Sequence, residues 1–296
     1  MEENKEPLKK DKKKKSKPKE YFDALIFAAL VAVLLKIFFI EAYRIPTGSM
    51  EKTLLVGDFL LVNKFVYGST TPRNIPFTNT RIPFIRFPDL HDPKRGDVVV
   101  FDFPGFRDDL KSQEIVYYIK RLIGEPGDTV QIINKVVYVN GQLFPNPPNS
   151  QSDPRVSNSS ITEPRIFPKG SGWNEDNYGP LRTPKEDDVI QLNGDNIGMW
   201  ETFIMREGHT VQSTPNGILI DGKQTNEYKV QQDYYFMMGD NRNNSLDSRF
   251  WGYVPRDHVV GEALIIYWSW DPNISFSELG RLVGTIRWDR VGKIIR

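Results

Sequence analysis

The chain has 296 residues, with 39 basic against 38 acidic side chains and no cysteine. This nearly neutral balance gives the molecule no general attraction for nucleic acid, and no nucleic-acid partner is expected. Without cysteine, disulfide bonds and thiolate metal sites are excluded, and the length suffices for one large domain or two small ones.

The first forty residues predict a charged tail followed by a membrane anchor. Residues 1–20 contain nine lysines and five acidic residues without an apolar face, so they are expected to be disordered. Residues 24–40 are apolar except for Lys36, and a run of this length comes close to crossing a hydrocarbon core of roughly 30 Å. We therefore predict a transmembrane helix over residues 21–42.

The distribution of charge predicts how this helix is oriented. Positively charged segments stay on the cytoplasmic side, so the lysine-rich tail is expected in the cytoplasm and residues 43–296 on the outer side of the membrane. A cleavable secretory signal is one alternative, but no small-x-small cleavage pattern follows the apolar run. A buried core helix is a second alternative, which the adjoining lysines disfavour.

Beyond the helix, short alternating segments separated by Gly, Pro and Asn are typical of a mainly antiparallel β protein. No second long helical period is found. The predicted strands are 58–64, 97–101, 115–123, 130–133, 136–139, 211–212, 217–220, 234–238 and 263–268. Asn140-Gly141 and Asp221-Gly222 mark tight turns at two of the predicted hairpins.

Two segments do not fit this pattern. Residues 145–168 are rich in Pro, Ser and Asn, and we interpret them as a long surface excursion within an inserted, loop-rich β subdomain over about residues 142–230. Residues 279–296 are basic with spaced apolar side chains. This second segment fits either an amphipathic helix on a membrane surface or a terminal segment packed on the β body.

A serine lies directly after the predicted membrane helix, in the sequence RIPTGSM (44–50). Pro46 and Gly48 favour a sharp turn after an extended segment, which would present the Ser49 hydroxyl at the level of the membrane. Serines in such turns are common, so this segment alone does not define a nucleophile.

A nucleophilic serine needs a base, and histidine is the usual one. His91, His209 and His258 all lie in segments typical of exposed loops. No cluster of histidines or carboxylates has the spacing of a metal site, so neither a metal nor another cofactor is expected.

Lys120 is a second candidate for the base, because it lies in the apolar segment IVYYIKRLIG (115–124). To act near neutral pH, its pKa must fall by roughly 3 from about 10.4, and burial among apolar side chains is able to cause such a change. The alternative interpretation is a lysine that extends from the strand into water.

A third segment, MMGDNRNNSLDSRFWG (237–252), concentrates charged and amide side chains after a predicted strand. It is either a solvated loop or a buried hydrogen-bonded network that supports a site. Composition alone does not decide between the two.

Together these segments resemble the motif boxes of the bacterial type I signal peptidases. The matching blocks are IPTGSM (45–50), TLLVGDFLLVNKFVYG (53–68), KRGDVVVF (94–101), YIKRLIGEPGD (118–128) and MGDNRNNSLDSRFWGYVP (238–255), in the family's order. The resemblance implies a membrane-bound serine endopeptidase with the antiparallel sheets of the signal-peptidase and LexA-like catalytic core.

The resemblance also implies roles for single residues. Ser49 attacks the scissile carbonyl and Lys120, neutral at rest, takes its proton, while the Ser49 backbone N–H and the Thr47 hydroxyl bind the oxyanion. Ser245 hydrogen-bonds to Lys120 and orients it. The supporting network is Arg121, Asp240, Asp247 and Arg249, and the residues lining small apolar substrate subsites are Tyr43, Ile45, Met50, Leu54 and Ile119.

The implied activity is removal of N-terminal signal peptides from exported preproteins, after sites of the Ala-x-Ala type. The implied location is the plasma (inner) membrane, with the catalytic domain on the outer or periplasmic side. Signal peptides and the lipid bilayer are the expected partners, close to the secretion translocon.

Two other classes of protein are disfavoured. A self-cleaving repressor of the LexA type would carry a DNA-binding helical domain, which this sequence lacks. A catalytically silent membrane scaffold would not need Ser49, Lys120 and Ser245 together.

The chain departs from the family pattern at two positions. Lys52 lies where many members have proline, and Asn243 lies where an acidic residue is frequent. Neither position transfers protons in the implied mechanism, and residues 145–168 have no assigned counterpart in the family.

Overall fold

The computed structural model describes residues 17–75, 78, 80–112 and 114–296. The helices in this range are α1 (Lys17–Phe38), α2 (Ile197–Arg206), α3 (Ser248–Trp251) and α4 (Leu279–Gly284). The strands are β1 (Ile40–Arg44), β2 (Asp58–Asn63), β3 (Val98–Asp102), β4 (Tyr117–Gly124), β5 (Thr129–Ile133), β6 (Val136–Val139), β7 (Gln142–Leu143), β8 (Tyr178–Arg182), β9 (Val189–Gln191), β10 (Val211–Thr214), β11 (Gly217–Ile220), β12 (Lys223–Thr225), β13 (Glu227–Lys229), β14 (Tyr234–Met238), β15 (Val254–Pro255) and β16 (Val259–Ser269).

The largest sheet carries the segments that predict chemistry. Its seven strands are antiparallel neighbours in the order β1-β2-β16-β3-β4-β14-β15. Buried and half-buried side chains alternate along β2, whereas every residue of β3 and β14 is buried. The strands at the centre are therefore covered on both faces, and the prediction of a mainly antiparallel β protein is confirmed.

α1 is apolar and projects from the β body. None of its 22 residues is buried against the rest of the described structure, and its most apolar window has a mean hydropathy of 2.2. The alternative of a buried core helix is therefore wrong.

The limits of α1 differ from the predicted 21–42. The helix already includes Lys17, the first residue that the structure describes, so it reaches into the segment 1–20 that was expected to be disordered. The helix ends at Phe38. Residues 40–42, which were predicted to be helical, belong instead to β1, and Tyr43 of the same strand lies opposite Leu60 of β2. Pairing with β2 satisfies these backbone groups in place of helical hydrogen bonds.

The insertion between β4 and β14 contains the three smaller sheets. One has four strands in the order β7-β6-β5-β8, one is β10-β11-β12, and β9 pairs with β13. β5 and β6 hydrogen-bond directly to β8 and β7, so this sheet includes strands on both sides of the predicted subdomain boundary near residue 142.

α2 also lies in the insertion and is a short helix of 10 residues that the sequence analysis did not predict. Its residues Ile197, Phe203 and Ile204 are buried in the core of the insertion, and Trp200 packs against that core. This spacing matches one face of a helix.

The two segments of uncertain role both pack on the β body. In the excursion 145–168, Gln151 forms a parallel bridge with Asn241, and the Phe167 N–H donates to the Arg249 carbonyl at 2.8 Å. In the segment 279–296, Ile295 packs against the core cluster beneath β1 and β2. The end of this last segment is therefore packed on the β body, whereas α4 at its start leaves Leu279 and Val283 exposed.

Candidate active site

Ser49 lies in a short 3₁₀ turn, Gly48–Met50, that follows the extended segment after β1. Residues 237–252, the third of the segments singled out above and called the third block from here on, hold this turn from the other side. The Asn241 N–H donates to the Ser49 carbonyl at 3.1 Å, and Asn241 Nδ2 donates to the Gly48 carbonyl at 3.0 Å. These bonds fix the backbone of the turn, and the Ser49 side chain is 9% exposed.

Lys120 reaches Ser49 from β4. Its Nζ lies 2.7 Å from Ser49 Oγ, and it also donates to the Ile119 carbonyl at 3.2 Å. The side chain is 4% exposed and lies over the ring of Tyr118, with Nζ 5.3 Å from the ring centroid. Burial lowers the pKa of Lys120 from 10.5 to about 8, against the opposing effect of the negative charges of Asp247 and Asp240. The interpretation of Lys120 as a lysine extended into water is therefore wrong.

A buried ion pair between Arg121 and Asp240 supports the Ser49 turn. Arg121, the residue after Lys120, donates from Nε and Nη2 to the two carboxylate oxygens of Asp240 at 2.8 and 2.6 Å. Thr53 Oγ1 donates to the same carboxylate at 2.6 Å. A bidentate pair of this kind has a fixed geometry, so it holds β4, the third block and the segment after Ser49 in one arrangement.

A second buried ion pair shapes the third block itself. Arg249 Nε and Nη2 donate to the two oxygens of Asp247 at 2.8 Å each, and the Gly239 N–H donates to Asp247 at 3.1 Å. Burial raises the pKa of Asp247, but the charge and hydrogen bonds of Arg249 outweigh this and leave it lowered. Asp247 is therefore an anion within a neutral pair.

The structure corrects the predicted hydrogen bond between Ser245 and Lys120. Within the described part of the chain, Ser245 Oγ has no hydrogen-bond partner of ordinary geometry, although it lies close enough to Asp247 to help lower that pKa. Lys120 Nζ is directed instead to Ser49 Oγ and the Ile119 carbonyl. The sequence predicts that these residues are close together, but it does not give the direction of the Ser245 hydroxyl.

Gly239 is a residue of the site that sequence reasoning did not single out. A Cβ atom there would lie 2.2 Å from Ser245 Oγ and 2.6 Å from the Ser49 carbonyl oxygen. Only glycine fits this close approach between the third block and the Ser49 turn. Its position directly before Asp240 in the MGDN block was the available signal.

The residues predicted to line substrate subsites lie at different depths. Ile119 lines an open cleft beside Ser49, whereas Ile45, Met50 and Leu54 are buried in the core cluster beneath it. Tyr43 lies in β1 and packs edge-to-face on Tyr117, with ring centroids 5.3 Å apart. Thr47, predicted to bind the oxyanion, is exposed and lines the cleft.

The opposite wall of the cleft comes from the third block and the insertion. It includes Asn243, Leu246 and Phe250, together with Arg165 and Glu175. The Arg165 guanidinium lies 5.7 Å from the centroid of the Phe250 ring. The contribution of the insertion was not predicted, because residues 145–168 have no regular pattern that would indicate where they pack.

The histidines are less exposed than the sequence suggests. His258 is half-buried, and its Nδ1 lies 2.9 Å from the Asp102 carbonyl; burial lowers its pKa. His209 is also half-buried and pairs with Asp221 at 2.6 Å. Only His91 is exposed as expected. The three histidines bond to Asp92, Asp102, Asp221 and Gln231, and none of these bonds goes to Ser49.

The two departures from the family pattern have structural consequences. Lys52 has a φ of 71°, which proline, restricted to about −65°, does not adopt. The turn after Ser49 therefore has a backbone that a proline at this position would not allow. Asn243 Oδ1 accepts a hydrogen bond from the Asp153 N–H at 2.6 Å, so it links the third block to the excursion.

Comparisons with known proteins agree on one family. The model of the family "Signal peptidase, peptidase S26" matches residues 18–268, and the chain belongs to this family. Signal peptidase I of Pseudomonas aeruginosa is 33% identical over 88% of this chain and 78% of that protein. Signal peptidase I of Buchnera aphidicola subsp. Acyrthosiphon pisum is 33% identical over 96% and 85% of the two chains, and that of Aquifex aeolicus is 31% identical over 82% of each.

A more distant likeness exists among solved structures. The crystal structure of a signal peptidase I from Enterococcus faecalis V583 is 21% identical to this chain and has a TM-score of 0.26, with 59% of this chain and 98% of that chain covered.

Proposed function

We propose that this protein is a signal peptidase I that works as a serine endopeptidase with Ser49 as nucleophile and Lys120 as general base. The observation that carries the proposal is the distance of 2.7 Å between Ser49 Oγ and a Lys120 Nζ that is almost completely buried. With a pKa of about 8, a useful fraction of Lys120 is neutral near physiological pH and able to accept a proton.

The reaction begins with the transfer of a proton from Ser49 Oγ to Lys120 Nζ. As Oγ bonds to the scissile carbonyl carbon, its proton passes to Nζ and the carbonyl oxygen becomes an oxyanion. The Ser49 N–H and the Thr47 hydroxyl donate to this oxyanion. The C–N bond then breaks, the Lys120 ammonium returns the proton to the leaving amine, and an acyl-enzyme remains. Water activated by neutral Lys120 hydrolyses this ester and restores Ser49.

The proposed substrate is the signal peptide of an exported preprotein, cut after an Ala-x-Ala type of site. β14 pairs with β4 only from Arg121 to Gly124, so among the described strands none covers the same edge of β4 from Tyr117 to Lys120. An extended peptide adding at this edge would gain main-chain hydrogen bonds beside Ser49. Subsites formed over Ile45, Met50, Leu54, Ile119 and Tyr43 would select small side chains.

The proposed location is the plasma membrane, with α1 spanning it once and the catalytic domain outside, close to the translocon. α1 ends two residues before β1, and Ser49 follows β1 by five residues. This short connection would hold the site near the bilayer surface. Ser245, Asp240, Arg121, Asp247 and Arg249 would support the dyad through the packing and ion pairs described above.

Incubation of the full-length detergent-solubilised protein with a preprotein, followed by mass spectrometry of both products, tests the proposed activity. We expect a single cut after an Ala-x-Ala sequence, which disappears when the alanine before the cut is replaced by a bulky residue. Cleavage elsewhere, or cleavage insensitive to that replacement, would rule out the proposed specificity. A Ser49→Ala protein prepared in parallel controls for contaminating proteases.

The topology has a separate test, which the absence of cysteine makes straightforward. Lys9→Cys and Lys223→Cys variants are treated in intact cells with a membrane-impermeant maleimide. We expect labelling only at position 223, the exposed first residue of β12 in the insertion. Labelling at position 9 alone would reverse the proposed orientation.

A further inference from the structure

The mechanism does not use a buried ion pair that lies on the far side of the Ser49 turn. Asp58, at the start of β2, is completely buried, and Arg290 is 6% exposed. Arg290 Nη2 lies 2.5 Å from Asp58 Oδ2, and Nε lies 3.0 Å from Oδ1. Asp58 also accepts from Ser269 Oγ and from the Leu55 N–H, both at 2.7 Å. Asp58 and Arg290 are thus paired directly, and Arg287 Nη1 lies 4.0 Å from Asp58 Oδ1 as a second, more distant cation.

The pair is connected to Ser49 through Thr53. Arg290 Nη2 donates to the Thr53 carbonyl at 3.1 Å, while Thr53 Oγ1 donates to Asp240 at 2.6 Å. Thr53 itself is 4% exposed. Thr53 is therefore held on one side by Arg290 and on the other by the Asp240 carboxylate. The residue after Asp240 is Asn241, whose N–H donates to the Ser49 carbonyl.

Arg290 belongs to a segment, residues 287–296, that we call the C-terminal brace. The brace is hydrogen-bonded along β16: the Ile266 N–H donates to the Lys293 carbonyl at 3.0 Å, and the Ile295 N–H donates to the Leu264 carbonyl at 2.9 Å. The Arg296 carbonyl accepts from Arg121 Nη2 at 3.1 Å. The brace therefore contacts two residues that hydrogen-bond to Asp240. Arg290 contacts Thr53, and the Arg296 carbonyl contacts Arg121.

We infer that Arg290, paired with Asp58, is a positioning residue for the catalytic serine. By holding the Thr53 carbonyl, it fixes the segment that follows Ser49 and so the separation of Ser49 Oγ from Lys120 Nζ. This inference rests on the proposed function, since positioning has meaning only if Ser49 and Lys120 react together. A small displacement of a reacting group is sufficient to slow catalysis strongly.

The test compares two double variants that each remove a whole ion pair. Removing only Arg290 would leave the buried Asp58 carboxylate with only the more distant Arg287 Nη1, at 4.0 Å, to balance its charge, and could unfold the protein, so the test variant is Asp58→Asn with Arg290→Gln. The control is Asp89→Asn with Arg256→Gln, an ion pair that is more exposed than the test pair. Arg256 likewise pairs with an aspartate at 2.6 Å and donates to a main-chain carbonyl, that of Tyr67, at 3.1 Å, but it lies outside the site described above.

The measured quantities are kcat and KM for preprotein cleavage, at a temperature where circular dichroism shows each variant folded. For the test variant we expect kcat to fall about 10- to 100-fold with KM within about twofold of the wild type. The control variant should keep wild-type kcat. Arg290→Lys, which keeps the charge but not the forked geometry, should recover part of the loss.

Two results would overturn the inference. One is a folded test variant with kcat within about twofold of wild type. The other is an equal loss of kcat in both double variants, which would show that any lost ion pair has this effect. Both require a wild-type protein that cleaves and a Ser49→Ala protein that does not, so failure of the proposed function itself would be recognised separately.

Discussion

At Lys120, two opposing effects set the pKa of the ammonium group. Burial lowers the pKa, and the negative charges of Asp247 and Asp240 raise it; burial is the larger effect, and the pKa falls to about 8. Each carboxylate is paired with an arginine, Arg249 or Arg121, whose positive charge opposes the effect of the carboxylate on Lys120. Pairing inside the network therefore allows acidic residues close to the base without making it a permanent cation.

This pKa predicts the pH dependence of cleavage. Because only neutral Lys120 accepts the Ser49 proton, kcat/KM should rise with pH and level off above the Lys120 pKa, with a midpoint near 8. Initial rates measured from about pH 6 to about pH 10 would give this midpoint. A midpoint near 6.5, the ordinary value for histidine, would point to a different base.

The same pKa predicts that Lys120 lowers the stability of the folded protein. Its folded pKa of about 8 lies below the ordinary 10.5, so the unfolded chain binds more protons between these values and stability rises with pH in that window. Below pH 8 the full cost of burying the ammonium is present, about 3 kcal/mol for this difference in pKa.

Replacing Lys120 by methionine should therefore increase the free energy of unfolding at pH 7, and the increase should shrink as the pH approaches 10.5. Urea denaturation at the two pH values measures both quantities. Lys135→Met is the control, because Lys135 pairs with Asp176 at 3.6 Å and its removal should bring no gain. A Lys120→Met protein less stable than wild type at pH 7 would contradict the account.

At the level of elements, the position of the site depends on where β14 ends. β14 is a completely buried strand that leaves β4 at Met238, and Gly239 then turns the chain against the Ser49 carbonyl. The close approach at Gly239 brings the third block against the Ser49 turn.

Gly239→Ala should therefore displace Ser49 or Ser245. The added Cβ would lie 2.2 Å from Ser245 Oγ and 2.6 Å from the Ser49 carbonyl oxygen, so we expect kcat to fall roughly 100-fold. Gly194→Ala serves as the control, since a Cβ there meets nothing within 4 Å. Unchanged kcat in a folded Gly239→Ala protein would show that the turn tolerates this displacement.

The strands of the main sheet were predictable because their side chains follow simple patterns. FLLV within β2 and YYFMM in β14 are short continuous apolar runs, and runs of this length are typical of strands buried in a sheet. The short edge strands β1 and β15 were not predicted, since pairing with a neighbour, not their own composition, makes them strands.

At the level of the whole molecule, the site is assembled from parts far apart in the chain. The family blocks predict that Ser49, Lys120 and the third block meet, because each block was recognisable by itself. The contacts of the insertion and of the C-terminal brace were not predictable, since Arg165 and Arg290 reach the site region by packing that has no local sequence pattern. Long-range contacts of this kind depend on the complete fold.

The most direct test of the central claim is cleavage of a preprotein by Ser49→Ala and Lys120→Met, each compared with wild type and with Lys135→Met. We expect both site variants to keep the wild-type circular dichroism spectrum and to form no product, while Lys135→Met cleaves at the wild-type rate. Cleavage at the same bond by a folded Ser49→Ala or Lys120→Met protein would contradict the assignment of the nucleophile or the base.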